Sequence, residues 1–196
     1  MPRFSADQKK TINQMLLTEG ERLFNEKGLN TVTAEEIAYA CGIAKGTFYH
    51  FYENKEHLYM TINNHIQNSI FSRFRNQFQS TTEQSASRIF YNALVYIMEC
   101  FLKHPLVMDI RPEIWSQIEA KAPKECINEN NARDLELITY LSKTNFRFRY
   151  DLATTTQLLQ MQFLQLAYIK NETHNIELMK IVLLALATHL IQEDET

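Results

Sequence analysis

The stretch GIAKGTFYHFYENK, residues 42–55, crowds four aromatic side chains around one histidine between two lysines. Two interpretations compete: an aromatic segment of the core, or a short helix that meets a polyanion. The four-residue spacing of Phe48 and Tyr52 predicts that both point inward together with Ile43 and anchor the helix. The remaining residues of its N-terminal end then face outward. These are Lys45, Gly46, Thr47, Tyr49 and His50.

Two helices are predicted upstream of this stretch. Ser5 begins a capping box, and apolar residues then recur at helical intervals until Gly28, which has the position of a left-handed C-cap. A second capping box in TAEE begins at Thr33, and the short helix that follows ends at Gly42. The order of helix, short helix, glycine turn and short helix is that of a helix-turn-helix, whose last helix presents its N-terminal end to the major groove of DNA.

The outward residues have chemical reasons to meet DNA. Gly46 lets a phosphate or base edge approach the backbone closely, and the Tyr49 hydroxyl can donate to a phosphate. Lys45 and Lys55 bracket the helix, and Thr33 lies at a helix N-terminus whose amides can bind phosphate. The predicted DNA-binding residues are Thr33, Lys45, Gly46, Thr47, Tyr49, His50 and Lys55.

The composition predicts a globular helical chain. Of 196 residues, 45% are apolar and 22% charged, and only four glycines and four prolines are available for turns. Three scattered cysteines, Cys41, Cys100 and Cys126, suit a reducing compartment. No leader-like segment begins the sequence and no run is long and uncharged enough to span a bilayer, so we expect a cytoplasmic protein without membrane contact.

Charge alone does not indicate a nucleic-acid partner. The net charge is −3, and the first 60 residues hold seven Lys or Arg against eight Asp or Glu. The prediction of DNA binding therefore depends on where the charges lie and not on their sum.

The segment TVTAEEIAYACGIAKGTFYHFYENKEHLY, residues 31–59, resembles the DNA-binding motif of TetR-type one-component transcriptional regulators. Three residues depart from the family pattern. Ala44 stands where a Ser or Thr usually caps the recognition helix, and Phe51 replaces a residue that usually contacts phosphate. Gly20 lies within the first helix, at a cost in helix propensity of up to about 1 kcal/mol.

The rest of the chain is also predicted to be helical. A long helix begins near Asn54, a strongly apolar one spans about 83–103, and a helix with Pro112 at its start or at a kink ends before Pro123. Three further helices are separated by the connector NFRFRYD, predicted to be exposed, and by a polar loop. We expect an all-α fold in two domains: a helix-turn-helix domain, 1–53, and a ligand-binding and dimerisation domain, 54–196.

Catalytic motifs are missing from the sequence. Cys100 and His104 share a helical face, but one thiol and one imidazole make half a site at most, and a buried thiol beside a helix-end histidine is the simpler interpretation. We therefore expect no enzyme, no metal site and no cofactor.

The segment 90–115 mixes large rings with methionines and a few charges, which suits a small-molecule pocket and equally suits a helical core. In TetR-like proteins the second domain usually holds an inducer pocket. The pocket candidates are Phe90, Tyr96, Met108 and Trp115. Nearby carboxylates would suit a cationic aromatic inducer, whereas Arg88 or Arg111 would suit an anion, and the sequence leaves both open.

The last two helices are apolar on several sides, and such helices need a partner. In TetR-like proteins they pair with their two-fold mates, and Leu166 and Leu183 are our candidate interface positions. The resemblance implies a homodimeric repressor, released from a palindromic DNA operator by a small-molecule inducer. The alternative is a helical ligand-binding or interaction protein that has lost specific DNA binding.

Overall fold

The computed structural model describes residues 4–78, 85–107, 109, 111–143, 146–165 and 172–192. In these ranges it contains helices and a single isolated antiparallel bridge between Phe148 and Ile191, which confirms the all-α class. The helices are α1 Ala6–Lys27, α2 Ala34–Ala40, α3 Lys45–Phe51, α4 Lys55–Phe78, α5 Ala86–Leu102, α6 Pro112–Lys121, α7 Lys124–Lys143, α8 Leu152–Leu164 and α9 Thr173–Leu190.

The chain packs into two compact units. The first comprises Met1–Ile66 and Arg111–Glu129, and the second comprises Gln67–Ile110 and Asn130–Thr196. Helix α6 therefore packs with the helix-turn-helix, and the residues of α4 are divided between the units. The functional division at residue 53 stays a prediction, because packing units describe contacts and not activities.

Local hydrogen bonds fix the ends of the first helices as predicted. The Ser5 hydroxyl accepts from Gln8 N at 3.2 Å, while Ser5 N donates to Gln8 Oε1 at 2.8 Å. Helix α1 ends at Gly28 with φ 77°, and the turn before α3 contains Gly42 with φ 65°. Both angles lie in the left-handed region that favours glycine, so these two residues set the path of the chain.

Gly20 serves close packing between α1 and α4. A Cβ at this position would lie 2.9 Å from Leu58 Cδ2 and 3.0 Å from Ile62 Cδ1. One turn further along α1, Phe24 meets the edge of Tyr59 at a centroid distance of 5.2 Å. Glycine at position 20 therefore lowers the helix propensity of α1 but allows α1 and α4 to pack closely in the core of the first unit.

The second unit is built around α5 and α9. Phe90 is fully buried and lies 5.9 Å from Phe146 and 5.4 Å from Phe148, measured between ring centroids. The connector that contains these two rings is therefore not simply exposed, because the rings are half-buried against α5. Helix α5 begins at Ala86 with Ser85 as its N-cap, three residues later than predicted.

One predicted interface position is wrong. Leu183 retains only 1% of its exposure within a single chain, so it belongs to the core and cannot contact a second copy. The other position, Leu166, lies outside the described residues. The neighbours of Leu183 in the sequence, Val182 and Leu184, are exposed on α9. The helical period of the apolar residues identifies apolar faces, but it does not say which face the same chain covers.

Candidate nucleic-acid interface

Helix α3 is anchored by the aromatic side chains that the sequence assigned to its inner face. Phe48 is fully buried, and Tyr52, the residue after the helix, is almost as deeply buried. The Tyr52 hydroxyl donates a hydrogen bond of 2.7 Å to Asn13 Oδ1 on α1. Burial also raises the pKa of Tyr52 to about 12, so this hydroxyl keeps its proton and remains a donor. The predicted inward orientation of both rings is confirmed.

The opposite side of α3 faces away from the core. Lys45, Gly46 and His50 are exposed, and Thr47 is half-buried. Tyr49 is 50% exposed, although its ring touches Phe48 edge-on at a centroid distance of 5.4 Å. The structure therefore brings five of the seven predicted DNA-binding residues together on one short helix.

Gly46 has no explanation inside the described part of the chain. A Cβ added there would meet no described atom within 4 Å, and the backbone does not take a left-handed φ. Glycine inside a helix costs roughly 0.5–1 kcal/mol relative to alanine. Neither the packing of the described residues nor the backbone geometry requires a glycine at this position.

The Thr33 hydroxyl is committed to the start of α2. It accepts from Glu36 N at 3.2 Å and donates to Glu36 Oε2 at 3.1 Å, while Thr33 N donates to the same carboxylate oxygen at 2.9 Å. These bonds, with the ion pair from Lys27, lower the pKa of Glu36. Thr33 is thus placed at the helix end that the sequence predicted, in a closed capping box.

The start of α3 has no such cap. Ala44 stands at the N-cap position without a side-chain hydrogen bond, as its sequence predicts. The next residue, Lys45, directs its ammonium to Glu35 on α2, with 3.2 Å between Lys45 Nζ and Glu35 Oε2. Helix α3 forms without its usual cap because Phe48 and Tyr52 hold it by tertiary contacts.

Lys55 lies in a different environment from the rest of the predicted set. Its ammonium donates to three backbone carbonyls of the α1–α2 connection: Leu29 at 2.7 Å, Val32 at 2.8 Å and Asn30 at 3.3 Å. Burial of this ammonium lowers the pKa of Lys55. An ammonium has three N–H donors, so these bonds use its whole capacity. Spacing along the sequence gave no signal for this arrangement, because the acceptors are backbone atoms more than 20 residues away.

The first turn of α4 is also joined to α6. Asn54 Oδ1 accepts from His57 N at 2.8 Å and caps α4, while Asn54 Nδ2 donates to the Lys121 carbonyl at 2.8 Å. The Glu56 carboxylate is 2% exposed and accepts from Gln117 Nε2 at 2.6 Å and from Lys121 Nζ at 3.4 Å. We call these contacts the α4–α6 junction. The sequence analysis did not predict these contacts, because each bond to α6 joins residues more than 60 positions apart.

The structure places the predicted pocket residues in different surroundings, and their role in binding a ligand stays a prediction. Phe90 is packed between other rings, Tyr96 is half-buried 6.4 Å from the Phe74 ring centroid, and Met108 lies outside the described residues. Trp115 is half-buried on α6, in the first unit. An open groove of about 500 Å³ between α1 and the end of α2 is lined by none of the four.

Other kinds of site find little support among the described residues. They contain no group of three or more His, Cys, Asp or Glu side chains that could hold a metal ion. Burial raises the pKa of the Cys41 thiol to about 11 and also raises the pKa of Cys126, so both thiols are protonated and weak nucleophiles near neutral pH. Over the same ranges, no helix combines the length and hydropathy that crossing a bilayer requires.

Comparison with known proteins places the helix-turn-helix in a defined group. Residues 16–61 match the family described as bacterial regulatory proteins, tetR family. The chain is 30% identical over 95 residues to the HTH-type transcriptional regulator YuxN of Bacillus subtilis, a match that covers 48% of this chain and 32% of that protein. It is 28% identical over 137 residues to the HTH-type transcriptional repressor KstR2 of Rhodococcus jostii, covering 68% of this chain and 58% of that protein.

These two relatives are longer than the matched regions. The chain spans less than two thirds of either, so the similarity to them does not extend to whole-protein activity. The fold itself is shared along nearly the full length. A TetR-family regulator from Syntrophomonas wolfei superimposes with a TM-score of 0.65 at 21% identity, covering 92% of this chain and 95% of that one.

The carbonyl contacts of Lys55 generate a prediction about its role. Lys55→Met keeps the apolar stem and removes the donors, and leaving acceptors away from water without a partner costs roughly 1–3 kcal/mol. We expect the free energy of unfolding, measured by urea titration, to fall by about 1–3 kcal/mol. The salt dependence of DNA binding should remain unchanged, because the ammonium is not free for a phosphate.

Lys45→Met is the matched control for that prediction. It should leave the free energy of unfolding almost unchanged and reduce the slope of log affinity against log salt concentration by about 1. If Lys55→Met instead reduced the slope of log affinity against log salt concentration and left the free energy of unfolding unchanged, Lys55 would be a phosphate contact, as the sequence predicts.

Proposed function

Because residues 16–61 match the tetR family of bacterial regulatory proteins, we propose that this chain is a TetR-type regulator that controls transcription by binding a palindromic DNA operator as a homodimer. The observation that carries this proposal is the division of α3 into two faces. Phe48 and Tyr52 hold the helix on the core, while Lys45, Thr47 and Tyr49 remain on its outer side. A short helix presented in this way matches the recognition helix of a helix-turn-helix.

Each outer residue has a proposed task. Lys45 and the Tyr49 hydroxyl position the helix on phosphates, and Thr47 contacts a base edge. Gly46 permits close approach, which agrees with the open space around it. His50 adds a polar group on the same exposed face. Thr33 contributes through the α2 helix end and not through its hydroxyl, which its capping box already uses.

The proposed homodimer rests on the last two helices. Large apolar side chains on α8 and α9 remain exposed in the single chain, and the most exposed of them is Ile181 at 65%. On α9, Leu178, Ile181 and Val182 share one face because they are three or four residues apart. The exposed residues are Met161, Leu164, Leu178, Ile181, Val182 and Leu184. A second copy related by a two-fold axis would cover such surfaces and present two recognition helices to a palindrome.

A small-molecule inducer is proposed to act through α6 and α4. Trp115 is half-buried on α6, and the end of the same helix is bonded to Asn54 and Glu56 at the α4–α6 junction. A ligand that displaces α6 would therefore pull on the first turn of α4, which also carries Lys55. Such a ligand shifts DNA affinity only if it binds the two arrangements differently, and couplings of about 1–3 kcal/mol are typical.

We assign DNA binding to residues 1–53 and inducer binding and dimerisation to 54–196, with the first turns of α4 joining the two activities. Because the target is chromosomal DNA, we place the protein in the cytoplasm. The absence of catalytic motifs in the sequence agrees with a regulator and not with an enzyme. The alternative, a protein without DNA binding, has no observation in its favour, since α3 forms despite Ala44.

Selection from random duplexes tests DNA recognition. We expect the protein to enrich an inverted repeat with half-sites about one helical turn apart, and to prefer it over random duplex by at least about 10³-fold at physiological salt. Thr47→Ala should weaken binding to the selected duplex by roughly 1–3 kcal/mol while the melting temperature stays unchanged. Ser85→Ala, which removes the N-cap hydrogen bond of α5 in the second unit, is the control for a general loss of stability. Equal affinity for selected and random duplexes would contradict the proposal.

Sedimentation velocity tests the homodimer. Ile181→Glu places a charge at the most exposed apolar position of α9 and should convert a micromolar dimer into a monomer with normal helix content. His174→Glu, an exposed position in the first turn of the same helix, should leave the dimer intact. A wild-type protein that sediments as a folded monomer would remove the dimer from the proposal.

A further inference from the structure

Lys45, the cation at the start of α3, is paired in the free protein. Its ammonium lies 3.2 Å from the Glu35 carboxylate, which projects from the first turn of α2. The side chains are 54% and 72% exposed, so the pair is solvated and contributes little to stability. Its main effect is electrostatic, because a carboxylate at this distance cancels most of the field that the ammonium presents to a distant polyanion.

Other cations of the first unit are similarly occupied. Arg22 is bonded to two carboxylates of its own helix at 2.9 Å, and Lys27 to Glu36 at 3.1 Å. The Lys55 ammonium is used by backbone carbonyls. This pairing agrees with the slightly negative charge of the first 60 residues. On the outer face of α3, the ability of Lys45 to bind a phosphate therefore depends on one exposed carboxylate, that of Glu35.

We infer that Glu35 is a specificity-determining residue: it competes with DNA phosphate for the Lys45 ammonium and thereby suppresses binding to non-operator DNA. This inference rests on the proposed function, because it requires that the outer face of α3 meets DNA. No contact between Glu35 and a base is needed.

The competition acts unequally on the two kinds of complex. Binding to random DNA is almost entirely electrostatic and loosely seated, so Lys45 has no fixed phosphate and stays with Glu35. On the operator, contacts from the outer face of α3 seat the helix and fix Lys45 beside one phosphate, where it exchanges partners. Glu35 therefore prevents the contact between Lys45 and phosphate in the non-specific complex, whereas the specific complex keeps that contact.

The test is Glu35→Gln, with affinities for the selected operator and for a random duplex measured between 50 and 200 mM salt. On random duplex the slope of log affinity against log salt concentration should steepen by up to about 1. One recovered phosphate contact corresponds to about threefold in affinity over this salt range. The operator slope should stay near its wild-type value, so the loss of operator preference should be about threefold larger at 50 mM than at 200 mM salt.

Two further variants isolate the cause. Glu26→Gln removes the same charge from an exposed ion pair on α1, where Arg22 is the partner, and should change neither slope. In a Lys45→Met background, Glu35→Gln should no longer steepen the random-duplex slope, because the cation that it releases is gone.

Three results would overturn the inference: equal changes on both duplexes, persistence of the effect in the Lys45→Met background, or a loss of operator binding without a gain on random duplex. The last would make Glu35 a direct contact with the operator. Failure of the proposed function is distinguishable, since the wild-type protein would then show no preference for any duplex before a substitution is made.

Discussion

The Lys55 ammonium and the three carbonyls that bind it join the parts of the structure on which the proposed DNA recognition depends. The carbonyls belong to the α1–α2 connection, and Lys55 is the first residue of α4. On either side of Lys55, Asn54 and Glu56 bond to α6. One turn of helix is therefore bonded to the entry of α2 and to the end of α6 at the same time, which is the connection that the proposed action of an inducer requires.

The features that sequence predicted well are local. The capping boxes at Ser5 and Thr33, the left-handed C-cap at Gly28 and the glycine turn at Gly42 involve residues within a few positions of one another, and the structure has all four. The two faces of α3 were also predictable, because a four-residue spacing determines which rings share a side. Local patterns thus predict the starts of α1 and α2 and the direction in which α3 faces.

The features that sequence did not predict depend on distant partners. Nothing in the sequence around Lys55 indicates that carbonyls more than 20 residues away accept hydrogen bonds from its ammonium, and its predicted contact with phosphate stays a prediction. From the sequence, Gly20 only lowers the helix propensity of α1, whereas in the structure it gives Leu58 of α4 the space to pack against α1. Leu183 was assigned to the interface although it packs in the core, because α9 is apolar on more sides than one partner covers.

The most direct test of the account is lysine acetylation with and without the selected duplex, followed by mass spectrometry of each site. DNA should reduce the acetylation rate of Lys45 by about tenfold or more, because the ammonium then lies against a phosphate. Lys55 should react slowly in both states, and Lys103, exposed at the end of α5, should react equally in both. Unchanged acetylation of Lys45 while the duplex is demonstrably bound would show that DNA lies on another surface.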